Sequence, residues 1–175
     1  QQGQGMKAVV VGASGFIGSH LVDALLVEGF QVQALARNLP GLITPEALGH
    51  QALTLLPLDM TDAAGLHEAL QGADLVVYLA SGSLPQSSNR DPQLDVQVNL
   101  LGALNVLEAA RRGGVGRVLV VSSGGTVYGV PHQVPIREDH PTDPLCSYGI
   151  TKLAIEKYVA LYRHLHGLDG LVLRV

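Results

Sequence analysis

Tryptophan is absent from the 175 residues and phenylalanine occurs twice, so there is no aromatic platform on which bases could stack. Lysine and arginine number 11 against 15 acidic residues, for a formal net charge of −4, and they form no cluster. Such a surface does not attract nucleic acid or an anionic membrane, and neither is expected as a partner. Cysteine occurs once, as Cys146. A single thiol cannot form an internal disulfide, and it suits a reducing, cytoplasmic compartment. No apolar stretch approaches the ~20 residues of a membrane span. The seven histidines are scattered. His164 and His166 lie two apart on a helical stretch and point in different directions, so no metal site is expected. The opening "QQGQG" is polar and uncharged; residues 1–5 read as a disordered or added tail, not a secretory signal.

What is present is a strict alternation over residues 6–175, which read as one domain. Short β-rich apolar runs occupy 6–12, 31–36, 53–59, 74–80, 116–123 and 170–175. Between them, helical spacing covers 16–29, 62–72, 93–114 and 147–167. Residues 38–50 read as a loop with room for one short helix, 81–92 as a polar loop, and 124–146 as a loop with four prolines. Strands alternating with helices imply an α/β fold: a doubly wound parallel sheet between two helical layers, a three-layer αβα sandwich. In such folds ligands sit at the carboxyl ends of the strands.

Two stretches fall at such ends. The first is "GASGFIG", with Gly12, Gly15 and Gly18 spaced by three, directly between the first strand and the first helix. Gly12 permits a tight turn, Gly15 lets backbone approach a pyrophosphate, and Gly18 allows helix and strand to pack closely. The helix N-terminus then offers free N–H groups to phosphates. This is the dinucleotide turn of a Rossmann fold. Strand two ends in Ala36 and Arg37 where an NAD site usually has an acid for the ribose hydroxyls. The donor fork of Arg37 suits a 2′-phosphate, which leans towards NADP. Asp59, at the end of strand three, could accept from the adenine amino group or cap the next helix.

The second is "SYGITK", which puts Tyr148 and Lys152 four apart on one helix, and so on one face. A free tyrosine titrates near ~10, and bringing it to ~7 takes about 4 kcal/mol of preferential stabilisation of the phenolate. One ammonium at ~6 Å in an effective dielectric of ~20 supplies about 3 kcal/mol. A positively charged nicotinamide could supply the rest. The pair therefore makes sense as a base whose strength depends on bound cofactor.

With "GASGFIG", "PLDMTD", "VVYLAS", "VNLLGALNVLEAA", "SSGGTVYG", "PTDPLCSYGITK" and "LRV" in this order, the chain resembles the extended short-chain dehydrogenases/reductases, within them the NAD-dependent sugar epimerase/dehydratase group. The resemblance implies strand order 3-2-1-4-5-6, with Tyr148 as the base. Lys152 would hold the nicotinamide ribose and lower the tyrosine pKa. Gly12, Gly15, Phe16, Ile17, Asp59, Met60, Leu79, Ala80, Ser81 and Asn99 would line an NAD or NADP cofactor. It further implies a nucleotide-sugar epimerase of the UDP-glucose 4-epimerase kind, acting by transient hydride transfer. Helices 93–114 and 147–167 would pair two copies as a homodimer. The family continues past "LRV" into a smaller substrate domain, so the sequence is expected to be the amino-terminal piece of a longer protein.

One departure stands out. The family's Ser or Thr four residues before the tyrosine of "VYG" is Gly124 here. Ser122 shares the right parity but lies ~6–7 Å down the strand. Ser123, at the strand's end, is the expected replacement, then Thr126, then a backbone N–H at Gly124 or Gly125. Dehydratases of the group carry Asp-Glu where this chain has Gly125 and Thr126, which favours epimerisation or simple redox. Two other readings stay open: an NADPH-dependent reductase, favoured by Arg37, and a non-catalytic dinucleotide-binding module, favoured by Gly124.

Overall fold

A computed structural model describes residues 5–82 and 84–175; the expected tail, apart from Gly5, lies outside the described residues. The strands are β1 Lys7–Val11, β2 Gln31–Ala36, β3 Leu53–Pro57, β4 Leu75–Tyr78, β5 Arg117–Ser122 and β6 Gly170–Arg174. They form one sheet in the order β3-β2-β1-β4-β5-β6, and every pair is parallel. The order reverses between β1 and β4. There the chain leaves the sheet in opposite directions and opens a crevice at the carboxyl ends.

Side-chain alternation along the strands gives the sheet two apolar faces. Ala8, Val10, Val32 and Ala34 pack against α1 (Phe16–Val27) and α2 (Pro45–Leu48). Val9, Val11, Val76, Tyr78, Val118 and Val120 pack against α3 (Ala63–Leu70), α6 (Gly102–Gly113) and α8 (Ser147–His166). Both faces of β1 are therefore covered, which is why "KAVVV" reads as a continuous apolar run. Towards the β6 edge the first layer runs out: Leu171 and Leu173 are exposed, while Val172 between them packs under α8.

Two helix starts carry side-chain caps from capping residues. Thr44 Oγ1 accepts from Ala47 N with Pro45 in the first turn, and Asp62 accepts from Gly65 N at 2.9 Å. At the far end of α8, Gly167 takes φ +67°, which a side chain would resist, and its N–H closes on the Arg163 carbonyl.

Three loop and helix boundaries differ from the sequence expectation. The polar loop contains α4 (Pro85–Ser88), and the start of the proline loop contains α7 (Gly124–Val127). The stretch expected as one helix over 93–114 is continuously helical over 92–113 but changes its winding on the way. It begins as α5 (Pro92–Asp95), passes through a π-helical turn at Val96–Leu101, and becomes α6. A π turn adds a residue to the hydrogen-bonded ring and so rotates the next helical turns about the axis.

The tyrosine of "VYG" is a core residue. Tyr128 is buried, and its hydroxyl accepts from Arg174 Nη1 at 2.9 Å, with the guanidinium 4.8 Å from its ring centroid. Arg174 also grips Glu156 of α8, Nη2 to Oε2, at 2.7 Å, and Ser122 Oγ donates to the same carboxylate at 2.5 Å. The Glu156 side chain is only 9% exposed. Breaking such a pair strands a buried charge. Arg174→Ala is expected to cost about 3 kcal/mol in urea unfolding; a loss below about 1 kcal/mol would show that water reaches Glu156 freely.

Candidate active site

The glycine turn opens the crevice. Gly12 N and Ala13 N both donate to the Leu35 carbonyl, at 2.8 and 3.1 Å, tying the turn to β2. A Cβ on Gly12 would lie 2.7 Å from Ala80 N, and one on Gly18 would run into the Gly12 carbonyl. A Cβ on Gly15 would meet nothing nearer than 3.7 Å. Gly12 and Gly18 are thus small because protein backbone is close, and Gly15 because the space in front of it is open.

The two long helices that reach this region begin differently. The N-cap of α1 is Gly15, with no side-chain cap, and the first intrahelical bond runs from Ser19 N to the Gly15 carbonyl. The preceding amides face outward beside Phe16, 71% exposed, and Ile17. At α8 the protein supplies every partner. Ser147 N donates to Asn89 Oδ1 at 2.8 Å, Tyr148 N to Ser88 Oγ at 3.0 Å, and Gly149 N to Cys146 Sγ at 3.4 Å. An uncapped helix start beside an open glycine fits an anionic diphosphate; the capped one has its amides already engaged.

The other expected cofactor residues follow the carboxyl ends of β2, β3 and β4 or lie in the π-helical turn. Leu79 N donates to the Val11 carbonyl at 2.8 Å, which sets Leu79, Ala80 and Ser81 beside the turn. Met60 is held by Asn105 Nδ2 on its carbonyl at 2.9 Å and packs where Gly102 of α6 leaves room. Asn99, in the π-helical turn, accepts from Gly82 N at 2.7 Å. Asp59 does not cap α3, whose cap is Asp62. Its carboxylate instead accepts from Thr61 N and Oγ1 at 2.9 and 2.8 Å. Those bonds, with the nearby charge of Arg37, hold it below the usual carboxylate value. Arg37 is exposed at the end of β2.

Tyr148 and Lys152 come together as the spacing predicts. Lys152 is 4% exposed; its Nζ donates to the Val121 carbonyl at 3.1 Å and lies 5.6 Å from the Tyr148 ring centroid. Burial draws its ammonium down to about 8, opposed by the charge of Asp95. Tyr148 is pushed above its ordinary value, by burial first and then by the charges of Asp95 and Cys146; a hydrogen bond with the Ser81 side chain pulls it back. The net effect of these surroundings is to favour the neutral phenol.

Of the nearby hydroxyls, Ser122 is spoken for by Glu156. Ser123 follows the last residue of β5 as the N-cap of α7. Thr126, in α7, packs directly against Gly149: a Cβ there would sit 3.2 Å from Thr126 Cβ. Gly124 N is bonded to the Val175 carbonyl at 2.8 Å. Sequence reasoning missed Ser88, Asn89 and Asp95, which together seat the start of α8. The only sequence signal was "SSNRDP", a run of capping residues that also reads as a loop.

A parallel sheet with this turn and this tyrosine–lysine pair defines a dinucleotide-binding domain equipped for redox chemistry. Residues 8–175 match the NAD dependent epimerase/dehydratase family, and the chain belongs to that family. It is 37% identical over 171 residues to a UDP-glucose 4-epimerase of Mycolicibacterium smegmatis, covering 94% of this chain and 53% of that protein. Among solved structures, a Thermus thermophilus UDP-glucose 4-epimerase in complex with NAD superposes with a TM-score of 0.86 at 35% identity, covering 97% of this chain and 54% of the other. A Thermotoga maritima UDP-glucose 4-epimerase with UDP-glucose gives 0.87 at 31% identity, with 97% and 55% covered. The chain thus spans about half the length of the relatives it matches. Among the described residues, no helix is long and apolar enough to cross a membrane, and no group of three or more His, Cys, Asp or Glu could hold a metal ion.

Proposed function

We propose that the protein acts as a nucleotide-sugar epimerase of the UDP-glucose 4-epimerase kind, with NAD resident in the crevice. The observation that carries this is the Tyr148–Lys152 pair, which packs on the carboxyl end of β5 in the same crevice as an uncapped, glycine-fronted helix start. The first-turn amides of α1 would hold the diphosphate, with Phe16 and Ile17 against it. Met60, Leu79, Ala80, Ser81 and Asn99 would line the rest, and Lys152 would take the nicotinamide ribose. NAD, once bound, supplies a reversible hydride acceptor and a positive charge beside the phenol. Tyr148 Oη takes the proton from the sugar hydroxyl as the carbonyl forms, and gives it back to the same oxygen when the carbonyl closes.

A hydroxyl on the sugar oxygen completes the site. Ser123, the first expectation, and Thr126, whose side chain lies against Gly149 next to Tyr148, are the two candidates for that role. A single missing donor of this type costs about 10²–10³ in rate, which Thr126→Ala and Ser123→Ala would apportion. Gly125 and Thr126 carry no carboxyl to help expel water, so epimerisation is favoured over dehydration. Interconversion of UDP-galactose and UDP-glucose by the full-length protein, with no net change in cofactor, tests the reading.

Arg37 is the one feature favouring NADPH and a reductase. Its guanidinium stands near the Asp59 carboxylate, whose charge opposes a 2′-phosphate. If Arg37 nonetheless binds that phosphate, Arg37→Ala lowers NADP affinity about tenfold and leaves NAD affinity alone. Equal titrations of both cofactors by both proteins would remove Arg37 from cofactor choice. A homodimer through 93–114 and 147–167 is supported by exposed apolar side chains on both segments, Leu94 and Leu101 on the first and Leu161 with Leu165, four apart, on the second.

A further inference from the structure

The proposed chemistry leaves one buried carboxylate without a role. Asp95 ends α5 where the π-helical turn begins, and it is 2% exposed. Asn99 Nδ2 donates to its Oδ1 at 2.8 Å; Ser147 Oγ and Thr151 Oγ1 donate to its Oδ2 at 2.8 and 2.7 Å. All three of these partners are donors, so the ionised acid, an acceptor at both oxygens, is the species that satisfies them. Burying a charge is costly for stability, and an apolar residue would fill the place more cheaply. Ser147 and Thr151 flank Tyr148 on α8, and Thr151 adjoins Lys152.

We propose that Asp95 is a positioning residue: its carboxylate clamps the first turn of α8 and so sets the place of Tyr148 and Lys152. This rests on the catalytic reading of that pair. The chain of contacts runs from the cofactor side inward: Gly82 N to Asn99, Asn99 to Asp95, Asp95 to the two hydroxyls of α8. The direction of the electrostatics agrees, since the Asp95 charge raises both Lys152 and Tyr148. The other groups around Lys152 do not duplicate it. Tyr148 and Tyr78, the latter from β4, are phenols that burial holds neutral. Cys146 caps α8 through its sulfur, Glu156 is matched by Arg174, and β5 offers only the Val121 carbonyl.

The chain has three lysines, Lys7, Lys152 and Lys157, so carbon-13 lysine side-chain NMR can follow each, with Lys152→Met assigning the signal. In the wild type the Lys152 midpoint is expected near 8. In Asp95→Asn, which keeps shape but not charge, it falls by about one pH unit while Lys157 stays put. An unmoved midpoint overturns the proposal. Should Asp95→Asn fail to fold, Ser147→Ala with Thr151→Val removes two donors and keeps the anion. Amide exchange over 147–151 then rises about tenfold relative to the rest of α8, and unchanged exchange overturns the clamp. NAD titration run alongside separates the two readings. A wild type that binds no NAD removes the proposed function, whereas an unmoved Lys152 midpoint in a protein that binds NAD removes only the role of Asp95.

Discussion

Gly12→Ala is expected to abolish measurable dinucleotide binding and to lower stability by about 3 kcal/mol. Two independent costs meet at this residue. Its φ of +92° lies where a side chain is strained. The added methyl would also lie 2.7 Å from Ala80 N and 2.9 Å from Ala80 Cα, both backbone atoms of the chain leaving β4. Relief requires the turn or the β4 exit to move, and those segments are the two walls of the crevice. Gly15→Ala is the matched control, because its methyl has space in the protein. Urea unfolding of that variant should fall within about 0.5 kcal/mol of wild type, while NAD affinity drops. If Gly12→Ala binds NAD normally, the diphosphate does not sit on this turn.

Tyr148→Phe is expected to slow epimerisation by the full-length protein about 10³-fold while leaving NAD affinity within a few-fold. The substitution removes Oη and its bond with Ser81. The backbone anchor from Tyr148 N to Ser88 Oγ does not depend on that oxygen, so the helix start stays in place. A variant with undiminished turnover would take the proton-transfer role away from Tyr148. A variant that loses NAD binding as well would show the hydroxyl to be structural.

The sheet was legible because its strands are buried runs punctuated by glycine, and the order 3-2-1-4-5-6 is the one seen. Tyr148 and Lys152 were legible because four residues is a local spacing. Their support was not: Tyr148 meets Ser88 across 60 positions, and Ser147 meets Asp95 across 52. In 93–114 the helix was legible but its buried face was not, for a different reason. Periodicity assumes that apolar residues face inward, yet Asp95 and Asn99 are buried there while Leu94, Val96 and Leu101 are exposed. The polar residues go inside because they satisfy one another, and no hydropathy pattern encodes that. Asp59 shows how little one residue type decides. A cap and an adenine contact are both open from the sequence; the cap of α3 is Asp62, and Asp59 bonds the residue two places on.

The segment between β4 and α5 has a consequence for how such chains diverge. Surface connections ordinarily accept added or lost residues at little cost. This one starts as a wall of the crevice at Leu79 and finishes, at Ser88 and Asn89, as the bracket on which the tyrosine helix is hung. Its length is therefore a gauge between the proposed nucleotide seat and the proposed proton-transfer group. One residue more or less would put the two out of step, leaving a protein that folds and binds but whose reacting partners never meet.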